Sequence, residues 1–208
     1  MDRSRVLNAL CRCAKGFYGR GWMLGTSGNI SALVSEDPVR VLISASGNPK
    51  GEMNSDSFLE VNGDGNAVSG IGRASAETCL HLTIYWLRPG VVSVMHTHSV
   101  WGTVLSDLFL EKGSIEIEGY EMLKGLSGVD THEHIERIPV IENSQDYTSL
   151  SKAVENVLEQ NRDIHGIYLR RHGLYTWGTD IAEAQRHVEI LEFLFEAVVR
   201  RLQLEQSA

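Results

Sequence analysis

Three histidines stand where one metal ion could be gripped: His96 and His98 in Val94-Met95-His96-Thr97-His98-Ser99, and His172 in Arg170-Arg171-His172-Gly173. The run Val91-Val92-Ser93-Val94-Met95 is apolar and β-branched, the composition of a buried strand. Side chains alternate along a strand, so His96 and His98 leave it on one face with Thr97 opposite. Two imidazoles one pleat apart can share an ion, and His172 can close the set from a distant segment. Three protein ligands leave a coordination position open, the arrangement of a catalytic zinc site rather than a structural one. Thr97 and Ser99 are at hand to orient the rings.

Other residue groups bear on the same chemistry. Gly25-Thr26-Ser27-Gly28-Asn29 and Ser44-Ala45-Ser46-Gly47-Asn48-Pro49-Lys50 offer backbone N–H groups, hydroxyls and close backbone approach. Lys50 adds a charge, and Ser75 adds donors at an expected helix N-terminus. Neither loop is a Walker or dinucleotide fingerprint. Each alone reads as a tight turn; together Ser27, Gly28, Asn29, Ser46, Gly47, Lys50 and Ser75 suggest a pocket for a phosphate monoester. Two carboxylates compete for acid/base work. Glu77 falls in the first turn of its expected helix, where it also suits the helix dipole. Glu121, in Gly119-Tyr120-Glu121-Met122, lies past a strand end beside Lys124, where it also reads as a solvated loop carboxylate. A second histidine pair, His132 and His134, lacks an apolar strand before it and reads as a loop feature. His81, His165 and His187 read as ordinary helix or loop histidines.

The elements that must position these groups follow from periodicity. Val6, Leu10, Cys13 and Phe17 predict a helix over residues 2–19. Strands are expected at Asn29–Val34 and Val39–Ser44, and at Phe58–Val61 and Ala67–Ser69 around the hairpin signal Asn62-Gly63-Asp64-Gly65. Ser75 is expected to N-cap a helix that stops at Arg88-Pro89-Gly90. After the histidine strand come a helix near Val100–Phe109 and a strand at Ser114–Glu118, with Glu116 and Glu118 on its wet face. Pro139–Ile141 and Gly166–Arg170 read as strands around a helix at Tyr147–Gln160. Asp180 and Glu183 form an expected capping box for a last helix, whose apolar face runs Ile181, Ala184, Val188, Leu191, Leu194, Val198 and Leu202. This is a mixed sheet flanked by helices in one domain spanning 1–208.

Composition excludes other classes. The 208 residues, 42% hydrophobic and 22% charged, are those of an ordinary soluble globule. A net charge of −8 argues against nucleic-acid or anionic-membrane partners. No apolar run approaches the roughly 20 residues of a membrane span. Cys11, Cys13 and Cys79 are expected to be reduced, in a cytoplasmic protein.

Taken in order, Gly25-Thr26-Ser27-Gly28-Asn29-Ile30-Ser31, Ser44-Ala45-Ser46-Gly47, Ser75-Ala76-Glu77-Thr78, His96-Thr97-His98-Ser99 and Arg171-His172-Gly173 resemble the class II aldolase/adducin family along essentially the whole chain. Within it, the segments 119–124, 131–134, 142–146 and 170–178 are similar to the methylthioribulose-1-phosphate dehydratases of methionine salvage. The resemblance implies one zinc per subunit on His96, His98 and His172. It implies a three-layer αβα sandwich around a mixed, largely antiparallel sheet, and a ring-like homotetramer with active sites at subunit interfaces. In the family's aldolases the glutamate matching Glu77 is the acid/base; in the dehydratases the one matching Glu121 leads. The implied reaction is dehydration of 5-methylthioribulose 1-phosphate to a 2,3-diketone. The runner-up is an aldolase or epimerase acting on another sugar phosphate with the same metal. A third reading, a non-catalytic adducin-like module, has no need of three metal ligands.

Overall fold

The stripe Val6, Leu10, Cys13 and Phe17 is buried on α1 (Arg3–Gly19), and the Asp2 side chain caps its N-terminus by accepting from the Ser4 N–H. The structure is a computed structural model and describes residues 2–207. Nine strands follow in one sheet: β1 (Asn29–Glu36), β2 (Val39–Ser44), β3 (Phe58–Asn62), β4 (Ala67–Gly70), β5 (Ser93–Thr97), β6 (Ser114–Ile117), β7 (Glu136–Ile141), β8 (Gly166–Leu169) and β9 (Gly173–Gly178). Their spatial order is β4-β3-β2-β1-β5-β9-β8-β7-β6. Every neighbouring pair is antiparallel except β7 and β8. The expected mixed, largely antiparallel sheet is what forms.

The remaining helices are α2 (Thr78–Leu87), α3 (Val100–Leu108), α4 (Tyr147–Gln160) and α5 (Ile181–Gln206). Strand alternation sorts them into layers. Met95 and Leu174 pack towards α1, α3 and α5, while their neighbours Val94 and Tyr175 pack towards α2 and α4. The result is helices on both faces of a sheet whose central strands β5 and β9 are buried along their whole length. Among the described residues no helix is long and apolar enough to cross a membrane. All three cysteines are free thiols.

The sequence left three local features unread or misread. β9 was not expected; its Leu174-Tyr175-Thr176-Trp177 core has strand composition but follows too closely on the Arg-His-Gly turn to stand out. α2 begins at Thr78 rather than at a Ser75 cap, so Glu77 occupies the N-cap position instead of the first turn. The Ser75 hydroxyl accepts the Glu77 N–H at 3.2 Å and caps only the turn before the helix. At α5 the capping box is half made: the Asp180 carboxylate accepts the Glu183 N–H at 2.7 Å, but Glu183 reaches the N–H and hydroxyl of Thr179 rather than Asp180.

α5 also carries a carboxyl group into the core beneath the histidine strand. Glu192 is 1% exposed; its Oε1 accepts the Thr97 hydroxyl at 3.0 Å and its Oε2 has no partner. Burial pushes its pKa up to about 7, against the opposing pull of the Ser99 and Thr97 hydroxyls. The folded state therefore holds a proton that the unfolded chain releases near its ordinary carboxyl pKa. Between those two values the native state binds more protons, so stability falls as pH rises through the window and levels off above about 7. Glu192→Gln copies the protonated acid. It should flatten the decline in Tm between pH 5 and pH 8 and raise Tm by several degrees at the alkaline end; a decline as steep as in the parent protein would show that Glu192 does not titrate there.

Candidate metal centre and active site

β5 ends at Thr97, and His98 lies one residue beyond it. The antiparallel partner β9 begins at Gly173, with Thr97 opposite Leu174, so the turn before β9 delivers His172 beside the end of β5. The rings of His96, His98 and His172 sit with centroids 4.5–5.0 Å apart. One nitrogen from each lies within 4.8 Å of the others. The His96 Nδ1–H donates to the Leu174 carbonyl at 2.9 Å, which fixes the tautomer and leaves Nε2 as a lone pair facing His98 Nε2 at 2.7 Å. Stacking on the buried Tyr175 ring, 3.9 Å away and tilted by 16°, holds the His96 plane. Burial drives the pKa of His96 well below the usual imidazole range, and it pulls His98 down to about 4 with help from the charge at His172. Zinc takes neutral imidazoles, which burial supplies at His96 and His98, and His172 stands beside them as the third ring. The donor set fits the metal that the spacing implied.

Glu77 closes this cluster. Its Oε1 lies 2.9 Å from His172 Nε2 and 3.7 Å from His96 Nε2, while Oε2 accepts from the Asn29 amide. Burial opposes ionisation, but the hydrogen bond from His172, the field of the neighbouring imidazoles and the Asn29 contact outweigh it, so the carboxyl stays below its ordinary range. The Asn29 amide is oriented in turn by His81, an α2 histidine whose Nε2 faces the Asn29 oxygen. His81 is fully buried, its Nδ1 is 2.8 Å from the Ser31 hydroxyl, and burial lowers its pKa to about 4. Sequence reasoning passed over His81; its place on the same helix as Glu77, one turn along, was the only available signal.

The three segments expected to form an anion pocket do converge. Asn29 touches Ser75, and the Lys50 ammonium donates at 3.0 Å to the carbonyls of both Thr26 and Asn48. Lys50 is 1% exposed, so it ties the two loops together rather than standing free. Other expected donors are engaged as well: the Ser27 hydroxyl donates to Leu24, the Ser46 N–H to Arg73 and the Asn29 amide to Glu77. Gly28 and Gly47 both adopt left-handed backbone, φ +71° and +82°. A Cβ on Gly28 would stand 2.7 Å from the His96 carbonyl, whereas one on Gly47 would meet open space.

Glu121 is elsewhere. β6 runs antiparallel to β7, which runs parallel to β8; β8 and β9 are antiparallel, as are β9 and β5. The C-terminal end of β6 therefore points away from the C-terminal end of β5. Glu121 follows that far end, four strand positions from β5, or about 19 Å across the sheet. Its side chain is 73% exposed, with Lys124 at 2.8 Å and His132 at 3.8 Å. The single chain does not bring it to the histidines. His132 and His134 lie in a turn before β7, as expected of a loop.

Residues 8–199 match the family described as Class II Aldolase and Adducin N-terminal domain. A methylthioribulose-1-phosphate dehydratase of Pseudomonas fluorescens is 40% identical over 96% of this chain and 95% of its own. One from Marinobacter nauticus is 39% identical over 95% and 94%. In fold, the chain is similar to the L-fuculose-1-phosphate aldolase of Thermus thermophilus, with a TM-score of 0.78, 23% identity and 99% of both chains covered.

Gly173 is a site residue that the sequence did not single out. A Cβ there would stand 2.6 Å from His96 Cε1 and 3.0 Å from His98 Cδ2, and closer still to the Thr97 carbonyl. Gly173→Ala should therefore splay the imidazoles and lower zinc affinity by at least about tenfold, since single shell positions around a metal matter at that scale. Gly47→Ala, strained but in open space, should bind zinc normally. Competition with a chromogenic chelator measures both; equal affinities would mean the ring packing does not depend on Gly173.

Proposed function

The chain belongs to the class II aldolase and adducin N-terminal domain family, and from that membership we propose that it is a methylthioribulose-1-phosphate dehydratase. As a hydro-lyase it converts 5-methylthioribulose 1-phosphate to 2,3-diketo-5-methylthiopentyl 1-phosphate, a step of methionine salvage. The observation that carries this reading is the likeness at about 40% identity, over nearly the full length of both chains, to relatives bearing that name. We place the reaction in the cytoplasm.

His96, His98 and His172 would hold one zinc ion. Bound there, zinc would act as a Lewis acid on the C2 ketone and make the C3 proton acidic. The rest falls to the chain's own groups. Glu121 accepts the C3 proton; the freed electron pair forms the C3–C4 double bond as the C4–oxygen bond breaks. The same carboxyl returns its proton to the departing hydroxyl, which leaves as water. The enol that remains at C3 tautomerises to the diketone. The loops around Ser27, Gly28, Asn29, Ser46, Gly47 and Ser75 anchor the phosphate, and Lys50 holds those loops together. Remote anchoring orients C3 and C4 against the base. Glu77, an ionised neighbour of the histidines, lines the pocket.

Glu121 is solvent-exposed at the opposite end of the sheet from the histidines of its own chain. The role therefore requires a second copy of the chain, so that Glu121 of one subunit faces the metal ligands of the next. A homotetrameric ring with shared sites satisfies this.

Glu121→Gln should keep its zinc and lose about 10²–10⁴-fold in turnover, the usual contribution of a placed acid/base group. Unchanged turnover would move the role to Glu77. Reassembling Glu121→Gln chains with His96→Ala chains, each inactive alone, should restore activity in mixed oligomers, since some sites then combine an intact histidine set with an intact Glu121. No recovery would mean that each site is built within one chain. Product analysis separates the chemistry: a diketone for dehydration, two fragments for retro-aldol cleavage.

A further inference from the structure

The far end of the sheet holds a half-buried polar cluster that the metal centre does not use. It is built around Ser127, two residues beyond the 3-10 turn Glu121–Gly125. The Ser127 carbonyl accepts from His165 Nε2 at 2.8 Å, and its N–H donates to His187 Nε2 at 3.2 Å. Its hydroxyl bonds to Glu183. Arg186 donates to that hydroxyl at 3.1 Å and, through Nε, to the Gly125 carbonyl at 2.9 Å. Every polar group of this one residue is thus held by a side chain from β8's leading turn or from the first turns of α5.

The proton inventory shows how firmly. His187 gives its Nδ1–H to the Trp177 carbonyl at 2.7 Å, so Nε2 is the acceptor that Ser127 needs. His165 faces an acceptor on each ring nitrogen: the Ser127 carbonyl on Nε2 and the Glu136 carboxylate, 2.9 Å away, on Nδ1. A proton on each nitrogen, which makes the ring a cation, satisfies both acceptors; Glu136 is 1% exposed, also accepts the His165 backbone N–H at 3.1 Å and stands 2.9 Å from His134 Nε2. Burial opposes that charge, and Glu136 more than offsets it, leaving the His165 pKa above the usual imidazole range. A buried ion pair of this kind is costly to break and does little for net stability; its use is to fix one geometry. The geometry it fixes is the attachment of the segment that bears Glu121. Leu123, Leu126 and Val129 add apolar anchoring to the same segment.

We infer that His165, His187 and Arg186 are positioning residues that set Glu121 for proton transfer by clamping Gly125 and Ser127. This rests on the reading of Glu121 as the acid/base.

His165→Asn keeps a donor where Nδ1 stands, towards Glu136, and loses the one towards Ser127. His165→Gln keeps the donor where Nε2 stands. In the zinc-loaded oligomer, His165→Asn should lower kcat by about tenfold to a hundredfold, the scale of a misplacement near 1 Å, with KM and zinc content unchanged. His165→Gln should retain most of the turnover. Arg186→Met, at an exposed position that does not endanger folding, should lower kcat in the same way and carries the test if His165→Asn does not fold. Placed in a Glu121→Gln background, His165→Asn or Arg186→Met should cause no further loss, because each acts through the carboxylate already removed. A further loss there, equal damage from His165→Gln and His165→Asn, or normal kcat in both His165→Asn and Arg186→Met would overturn the inference. Normal turnover in Glu121→Gln itself would instead overturn the acid/base reading beneath it.

Discussion

The antiparallel register of β5 against β9 is the constraint on which the metal centre depends. With His96 opposite Tyr175 and Thr97 opposite Leu174, the end of one strand and the start of the next meet at one point, and three imidazoles arrive there from two segments. A slip of one residue would turn His96 to the other face of the sheet, towards α5. Burial on both faces makes such a slip prohibitive: Val94 and Met95 on one strand, and Leu174 and Tyr175 on the other, are fully enclosed. The core thus specifies the ligand geometry, and the Leu174 carbonyl that accepts from His96 also belongs to that register.

Around this point the polar groups are arranged in a chain. Glu77 is held by Asn29, Asn29 by His81, and His81 by Ser31, whose hydroxyl meets Tyr85 at 2.7 Å. The chain runs from the metal cluster through the layer between β1 and α2. Each member has one role left once its neighbour's is fixed, so the amide of Asn29 presents its N–H to Glu77 and its oxygen to His81. A low local dielectric strengthens every link and penalises any that is missing.

Much of this was legible in the residues. The ligand histidines and the glycine-rich loops announced themselves by type and spacing, and most strands and helices by period. What stayed hidden was non-local. β9 reads as a strand only when β5 is known to lie beside it. The tightness around Gly173 exists only because two imidazoles from another segment occupy the space its side chain would need. Lys50 looks in sequence like a free charge on a loop; in the fold, its ammonium donates hydrogen bonds to two carbonyls on different loops. His165 sits before β8 where no periodicity marks it, His187 falls on the buried stripe of α5 and reads there as core, and their partner Ser127 is an ordinary loop serine until β7, β8 and α5 assemble around it. Local pattern records what a residue does for its own element, and these residues serve other elements.

The opposed directions of β5 and β6 carry a consequence for the life of the protein. On the proposed reading, a lone subunit can fold, take up zinc and bind a sugar phosphate, yet it holds half of two different sites and all of none. Catalysis is then a property of encounter, and turnover per chain falls away on dilution while metal content does not. A newly made chain stays chemically silent until it finds others of its kind, so the enzyme switches on at a threshold of abundance.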